Sequence, residues 1–374
     1  MKRNFYLLTI VFLGSSLISM WSERSVKAQG SSSERGRSPL PTPTPTPVAT
    51  PVLIKPTPKP TATPDEIIKI DTELVNLNVR VVDRNNRSIN SLQQKDFKVL
   101  EDGVPQQIDF FSKSEVPTNY ALVVDNSGSM RQLLDKVIEA GKVLVNTNRP
   151  DDDTMIIRFV GRDKIEIEQA FTSNKADLND ALDNLFIEGG QTAIIDAVYL
   201  AVENTDEYEK SKKSEDRKRR ALILVSDGED RNSYYNEKQL FELLRESEVQ
   251  IFVVGLISDL SKEGGFISKS PQDKSKAFLE RLASESGGKA YFPKGSSDLP
   301  ALAREISNEL RTQYSIGYIP SNDAHDGTFR NIKVVVDDGP DKQKRIAISR
   351  AGRTADTGGS QPKSPKPNSA VKNP

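Results

Sequence analysis

Short apolar runs alternate with helical segments between residues 118 and 311, and this alternation constrains the fold more than any other feature. The runs are Ala121 to Val124, Met155 to Phe159, Ala221 to Ser226 and Val249 to Gly255. Continuous apolar runs of this length are typical of strands buried on both faces. Such strands, alternating with amphipathic helices, predict an α/β fold with a doubly wound, mostly parallel, Rossmann-like sheet.

The segments on either side, 66–116 and 312–350, show the two-residue alternation that is typical of antiparallel strands. The first of them also contains an Asp102-Gly103 turn signal between two alternating stretches. Neither segment has enough strands for a stable core by itself. We therefore expect the two to pack together as one sandwich-like unit, with the α/β domain of residues 117–311 inserted between them.

The ends of the chain differ from both. Residues 1–28 predict a signal peptide, because basic residues precede an apolar stretch and a small-residue cleavage site at Val26-Lys27-Ala28. We expect a secreted, periplasmic or cell-surface protein, with an uncleaved membrane anchor as the alternative. Residues 29–65 are rich in Pro and Thr and predict a disordered linker, and residues 351–374 predict a disordered tail.

Composition removes several classes of function. The chain has no cysteine and one histidine, His325, which excludes disulfides, thiolate metal sites, a histidine-rich zinc site and a Ser-His-Asp relay. We interpret His325 as a surface residue. The 52 basic and 53 acidic residues nearly cancel, so no global field favours nucleic acid, and we expect membrane contact only through an uncleaved N-terminal segment. We interpret the charged run from Glu207 to Arg220 as a solvated helix end and loop.

Three polar clusters lie where the predicted strands end or a helix begins. They are residues 125–129 (Asp-Asn-Ser-Gly-Ser), 189–192 (Gly-Gly-Gln-Thr) and 227–230 (Asp-Gly-Glu-Asp). Ligands of a doubly wound sheet bind beyond the carboxyl ends of its strands. Carboxylates and hydroxyls are hard oxygen ligands, which suit Mg²⁺, Mn²⁺ or Ca²⁺. Taken singly, each cluster also fits an ordinary turn or helix cap, and that alternative stays open.

Together the clusters resemble the metal ion-dependent adhesion site of von Willebrand factor type A domains, which are also found in integrins. The resemblance covers about residues 118–311, and the flanking β segments are similar to those of bacterial proteins of this family. It implies one divalent metal, Mg²⁺ or else Mn²⁺ or Ca²⁺. It further implies that Ser127 and Ser129 bind the metal directly, Thr192 directly or through water, and Asp125 and Asp227 largely through water. Gln191 departs from the family pattern, which often has glycine or another small residue there.

A cation held mainly by neutral hydroxyls keeps much of its positive charge. We therefore predict a non-enzymatic binding protein whose metal recognises an Asp or Glu side chain of a partner protein. A structural or assembly module, in which the metal only stabilises loops, is the alternative. A metal-dependent hydrolase is weaker, because haloacid dehalogenase-like phosphatases need a carboxylate where Ser127 stands. The only nearby candidate bases, Glu229 and Asp230, are more simply solvated loop acids.

Overall fold

The computed structural model describes residues 74–113, 115–212, 218–263 and 269–357. The predicted signal peptide and linker lie outside these residues. The strands are, in chain order, β1 (Val75–Val82), β2 (Phe97–Glu101), β3 (Val104–Gln106), β4 (Phe110–Ser112), β5 (Thr118–Asp125), β6 (Asp153–Phe159), β7 (Ile165–Thr172), β8 (Arg219–Ser226), β9 (Gln250–Gly255), β10 (Lys289–Tyr291), β11 (Tyr314–Tyr318), β12 (Phe329–Val336), β13 (Ile346–Ile348) and β14 (Gly352–Thr354). The α-helices are α1 (Leu134–Thr147), α2 (Lys175–Asp183), α3 (Ile194–Lys210), α4 (Glu237–Glu246), α5 (Pro271–Glu285) and α6 (Leu299–Arg311).

The central sheet has the strand order β10-β9-β8-β5-β6-β7. All neighbours in it are parallel except β7, which pairs antiparallel with β6. Helices α3, α4 and α5 cover one face of the sheet, and α1, α2 and α6 cover the other. Each face of the sheet has its own apolar core. The doubly wound α/β fold is therefore confirmed. The sequence analysis did not predict β7 or β10, because β7 is a half-buried edge strand and β10 has only three residues.

The flanking segments form two four-stranded antiparallel sheets, with the orders β13-β1-β11-β4 and β14-β12-β2-β3. Each sheet combines strands from both ends of the chain, since β1 pairs with β11 and β2 pairs with β12. One apolar core lies between the sheets, and both flanks contribute to it. The sandwich-like unit is thus confirmed as part of the fold, while the domain boundaries stay a prediction.

Buried polar contacts join the sandwich to the α/β domain. Arg80 of β1 forms an ion pair of 3.3 Å with Glu309 of α6, and both side chains are buried. Arg219, at the start of β8, donates hydrogen bonds to the carbonyl oxygens of Leu310 at 3.1 Å and Gln313 at 2.9 Å. The C-terminal end of α6 therefore lies at the end of the central sheet where the parallel strands begin.

The interpretation of the charged run 207–220 as solvated is wrong for its buried members. Glu209 is buried and accepts hydrogen bonds from the side chain of Asn119 and the backbone N of Lys218. Arg219 is buried as well. The run could not be recognised as buried from its composition, because its partners lie far away in the sequence.

The expected disorder of residues 351–374 is wrong for their first part. Strand β14 pairs with β12, and Arg353 of β14 forms a buried ion pair of 3.2 Å with Glu101. A three-residue strand with an arginine at its centre has no apolar alternation to reveal it. Residues 358–374 lie outside the described part of the chain.

His325 is exposed, as expected. None of the helices in the described ranges combines the length and the apolar character needed to cross a membrane.

Candidate metal centre

The three predicted clusters meet where the parallel strands of the central sheet end. We call them the first site loop (125–129), the second site loop (189–192) and, with Ser226 added to the third cluster, the third site loop (226–230). Strands β5 and β8 are adjacent and parallel, so the first and third loops follow strand ends that lie side by side. Ser226 Oγ donates a hydrogen bond of 2.7 Å to Asp125 Oδ2. The two loops are therefore joined directly at the strand ends.

Within the first site loop, the side chains of alternate residues turn toward one another. The backbone N of Ser127 donates to Asp125 Oδ1 at 2.9 Å, which closes a tight turn. Ser127 Oγ and Ser129 Oγ lie 2.9 Å apart. Asp125 and Ser127 are buried, whereas Gly128 and Ser129 are exposed. The hydroxyl pair thus lies where the site opens to solvent.

Asp125 is fully buried, and its environment opposes its charge. Burial and, to a smaller extent, the nearby Asp227 carboxylate outweigh the hydrogen bonds from Ser127 and Ser226, so the pKa of Asp125 is raised to about 6. No lysine or arginine of the described residues forms an ion pair with Asp125 or Asp227. Two neighbouring carboxylates without a cationic partner favour a bound cation.

The second site loop is held against the residues that follow the third. The carbonyl oxygen of Thr192 accepts hydrogen bonds from the backbone N of Arg231 at 2.8 Å and of Asn232 at 3.1 Å. Thr192 is buried, and the residue that caps α3 is Ala193, so the alternative interpretation of Thr192 as a helix cap is wrong. Asp227 does serve a turn, since its Oδ1 accepts from Glu229 N at 3.0 Å.

Two acidic residues that the sequence analysis did not name as metal ligands connect α3, which follows the second site loop, to the third site loop and to the residues after it. The carboxylate of Asp196, in the first turn of α3, accepts hydrogen bonds from the backbone N of Tyr234 at 2.7 Å and of Tyr235 at 2.9 Å. Asp230 Oδ1 accepts from the backbone N of Ile195 at 3.2 Å. Asp230 is half-buried and bonded, so its interpretation as a solvated loop acid is wrong. The available sequence signal for Asp196 was that it is the single acidic residue in the apolar stretch at the start of α3.

Asn126 ties the first site loop to the other side of the site. Its backbone N donates to Phe159 O at 2.9 Å, and its carbonyl oxygen accepts from Glu188 N at 2.9 Å. Its side-chain Nδ2 donates to Phe186 O at 2.8 Å. Since Ala193 N also bonds to Val160 O at 2.9 Å, hydrogen bonds run around the whole site and connect all three loops.

The donor set fits a hard divalent cation. Adjacent ligands of an octahedral Mg²⁺ lie about 2.9 Å apart when each metal–oxygen bond is about 2.05 Å, and the two serine hydroxyls have this separation. The described residues include no group of three or more His, Cys, Asp or Glu side chains that could hold a metal. Any cation here would be held by hydroxyls together with two carboxylates.

The family model of the von Willebrand factor type A domain matches residues 119–305, half of the chain. The chain belongs to this family. The matched region contains all three site loops, so the resemblance drawn from the short motifs is confirmed at the level of the family. We refer to the α/β domain as the A domain from here on.

The curated relatives are longer chains, and each matches part of this one. An uncharacterized protein of Synechocystis sp. is 37% identical over 115 residues, which are 30% of this chain and 26% of that protein. Inter-alpha-trypsin inhibitor heavy chain H4 of Homo sapiens is 27% identical over 229 residues, which are 59% of this chain and 23% of that protein. The chain thus spans about a quarter of the length of these relatives.

Solved structures with A domains are also similar. The von Willebrand factor type A protein from Catenulispora acidiphila is 13% identical, with 71% of this chain and 76% of that chain covered and a TM-score of 0.43. Proximal thread matrix protein 1 from the mussel byssus, with a zinc-occupied MIDAS motif, is 17% identical, with 53% of this chain and 48% of that chain covered and a TM-score of 0.41.

Proposed function

We propose that this protein is a non-enzymatic binding protein that captures an acidic side chain of a partner protein through one divalent cation. The cation is Mg²⁺, with Mn²⁺ or Ca²⁺ as alternatives, and the residues that would hold it are Asp125, Ser127, Ser129, Thr192 and Asp227. The observation that carries the proposal is the convergence of the Ser127 and Ser129 hydroxyls, 2.9 Å apart, beside a buried Asp125 that has no cationic partner among the described residues.

The exposure of the site supports recognition of another molecule. Ser129 and Gly128 are exposed, while Asp125 and Asp227 lie behind them and are buried. A bound divalent cation would supply positive charge that neutral hydroxyls do not cancel. A carboxylate from a partner would complete that neutralisation, and it could approach from the open side.

The hydrogen bonds around the site argue against a metal that only stabilises loops. Ser226 joins the first and third site loops, and the amides of Arg231 and Asn232 hold Thr192. These contacts are made by protein groups alone. Protein groups therefore contribute to the arrangement of the loops, which favours ligand capture over loop stabilisation as the main role of a cation.

The hydrolase alternative is weakened by the same contacts. Glu229 forms an ion pair with Arg231, and Asp230 accepts hydrogen bonds from Ile195 N and Ser233 Oγ. A general base needs a carboxylate that can reach a water or substrate proton. Neither acidic residue is placed for that role.

We further propose that recognition takes place outside the cytoplasm. This part rests on the signal-peptide pattern of residues 1–28, which lie outside the described residues. N-terminal sequencing of the protein from its own organism checks it: a chain that begins at Gln29 supports cleavage, and a retained Met1 contradicts it.

The test of function is a pull-down from the extracellular fraction of the source organism, with Mg²⁺ or with a chelator. Wild type should retain a partner only in Mg²⁺. Ser129→Ala should lose the partner because it removes a proposed metal ligand, and since Ser129 is exposed the substitution does not disturb the core. Ser173→Ala, an exposed serine of the same domain, is the matched control. Replacing single acidic residues of the partner by amides should abolish capture, whereas capture in chelator would overturn the proposal.

A further inference from the structure

Phe186 borders the site, and its backbone is fixed to the first site loop. Its carbonyl oxygen accepts a hydrogen bond from Asn126 Nδ2 at 2.8 Å, and two residues later Glu188 N donates to Asn126 O at 2.9 Å. Asn126 lies between Asp125 and Ser127 in the chain. Phe186 and Glu188 are therefore both hydrogen-bonded to Asn126, which lies within the first site loop.

The ring of Phe186 is held in place but left half in water. The guanidinium of Arg158 lies 4.3 Å from the ring centroid, which is a cation–π contact. Arg158 is itself buried and forms ion pairs with Glu166, Glu168 and Glu188. Phe186 nevertheless remains 51% exposed. An aromatic ring that is already fixed has little freedom to lose on binding, which is the property of an anchor residue in an interface.

The charges around Phe186 disfavour a second acidic residue of the partner next to the captured carboxylate. Arg158 and Lys164 carry two positive charges, and Glu166, Glu168 and Glu188 carry three negative charges in the same network. The network therefore has one net negative charge. A second acidic residue of the partner would be repelled here, whereas an apolar side chain could cover the exposed part of the ring.

We propose that Phe186 is a specificity-determining residue, and that the partner presents its Asp or Glu next to an aromatic or large aliphatic residue rather than within an acidic run. The inference rests on the proposed function, because the carboxylate is captured at the metal site. It adds a second contact, in which Phe186 packs against the residue beside that carboxylate.

A phage-displayed library of random peptides, selected on the immobilised full-length chain in Mg²⁺, tests the inference. We expect enriched peptides to contain an Asp or Glu with an aromatic or large aliphatic neighbour. In synthetic copies, replacing that neighbour by serine should weaken binding to wild type roughly fivefold to tenfold, since half of a phenylalanine surface is left to cover. The same replacement should change binding to Phe186→Ser less than twofold.

Phe110→Ser is the matched control, because Phe110 is similarly exposed at 48% but lies on β4 of the sandwich. It should retain the wild-type preference. Metal-dependent enrichment of acidic peptides without an apolar neighbour, or with a preference that Phe186→Ser leaves unchanged, would overturn the role of Phe186 and leave the proposed function standing. Enrichment that persists in chelator, or no enrichment at all, would overturn both.

Discussion

Carboxylates at the two ends of the central sheet have different partners. Where the strands begin, Asp153 pairs with Lys218 at 2.8 Å and with Lys212 at 3.2 Å. Where they end, Asp125 accepts hydrogen bonds from the Ser226 hydroxyl at 2.7 Å and the Ser127 amide at 2.9 Å. Asp153 thus has lysine partners of its own, whereas Asp125 has no lysine or arginine partner among the described residues.

The pKa values of the two groups follow this difference. Burial raises the pKa of Asp153, but hydrogen bonds and charges from Lys218 and Lys212 outweigh it, so the pKa is lowered overall. The pKa of Asp125 is raised to about 6, mainly by burial and in part by Asp227. The candidate site thus contains a carboxylate, Asp125, whose charge no lysine or arginine of the described residues neutralises through an ion pair.

The largest effect is expected where a buried carboxylate loses its own cation. Arg80→Met removes the buried partner of Glu309 at 3.3 Å, at the end where the strands begin, and leaves Lys289 at 3.5 Å; breaking a buried ion pair costs about 3 kcal/mol or more. Urea unfolding should show this loss equally in Mg²⁺ and in chelator. The double variant Arg80→Met with Glu309→Gln should recover part of it. A loss that appears only in chelator would contradict the comparison.

A smaller and metal-dependent effect is expected at the opposite end. In chelator, Asp125→Asn should change the free energy of unfolding by about 1 kcal/mol or less, because it removes a repelled carboxylate but disturbs two hydrogen bonds. At a Mg²⁺ concentration about 100 times the dissociation constant, wild type should gain about 2.7 kcal/mol and the variant none. Equal stabilisation of both chains by Mg²⁺ would show that Asp125 is not part of the site.

The sequence was enough to predict that the three site loops meet where the parallel strands end. The first site loop is a local motif, and the end of an apolar run such as Ala221 to Ser226 marks the edge of a parallel sheet without knowledge of any distant contact. The sandwich was predictable for a related reason, since neither flank has enough strands by itself. The register that pairs Val75 with Tyr318 depends on side-chain packing and could not be predicted.

The contacts that position the site were not predictable. Asp196 bonds to amides 38 and 39 residues further along the chain, and nothing local distinguishes it from an ordinary first-turn acid such as Asp177 of α2. The burial of Glu209 depends in the same way on Asn119, 90 residues away. Polar residues that bond across loops leave no periodic pattern, and periodicity is the signal that a single sequence carries.

Asp196→Asn offers a test of this positioning. An asparagine has one acceptor oxygen, so one of the two amide hydrogen bonds from Tyr234 and Tyr235 should be lost and the third site loop should loosen. We expect Mg²⁺ to bind roughly tenfold more weakly, which corresponds to about 1.4 kcal/mol. Asp177→Asn, also in a helix first turn but exposed, should bind as wild type does. Isothermal titration calorimetry measures both, and equal affinities would contradict the role of Asp196.

The smallest effect concerns pH at the end where the strands begin. The lowered pKa of Asp153 means that its ion pairs stabilise the fold above the pKa of an unfolded aspartate, about 3.9, and that this stability is lost as the pH falls through the folded value. Asp153→Asn should therefore be less stable than wild type near neutral pH. The difference should shrink below about pH 4. Urea unfolding at several pH values measures it, and a difference independent of pH would count against the ion pairs.

Calorimetric titration of Mg²⁺ into the metal-stripped, full-length chain tests the central claim most directly. If the end of the sheet at Asp125 and Asp227 is completed by a cation from solution, wild type and Ser173→Ala should each bind one Mg²⁺ with the same affinity. Ser129→Ala should bind it at least tenfold more weakly, because one of two converging hydroxyl ligands is gone. No binding of Mg²⁺, Mn²⁺ or Ca²⁺ by wild type, or equal binding by Ser129→Ala, would contradict the claim.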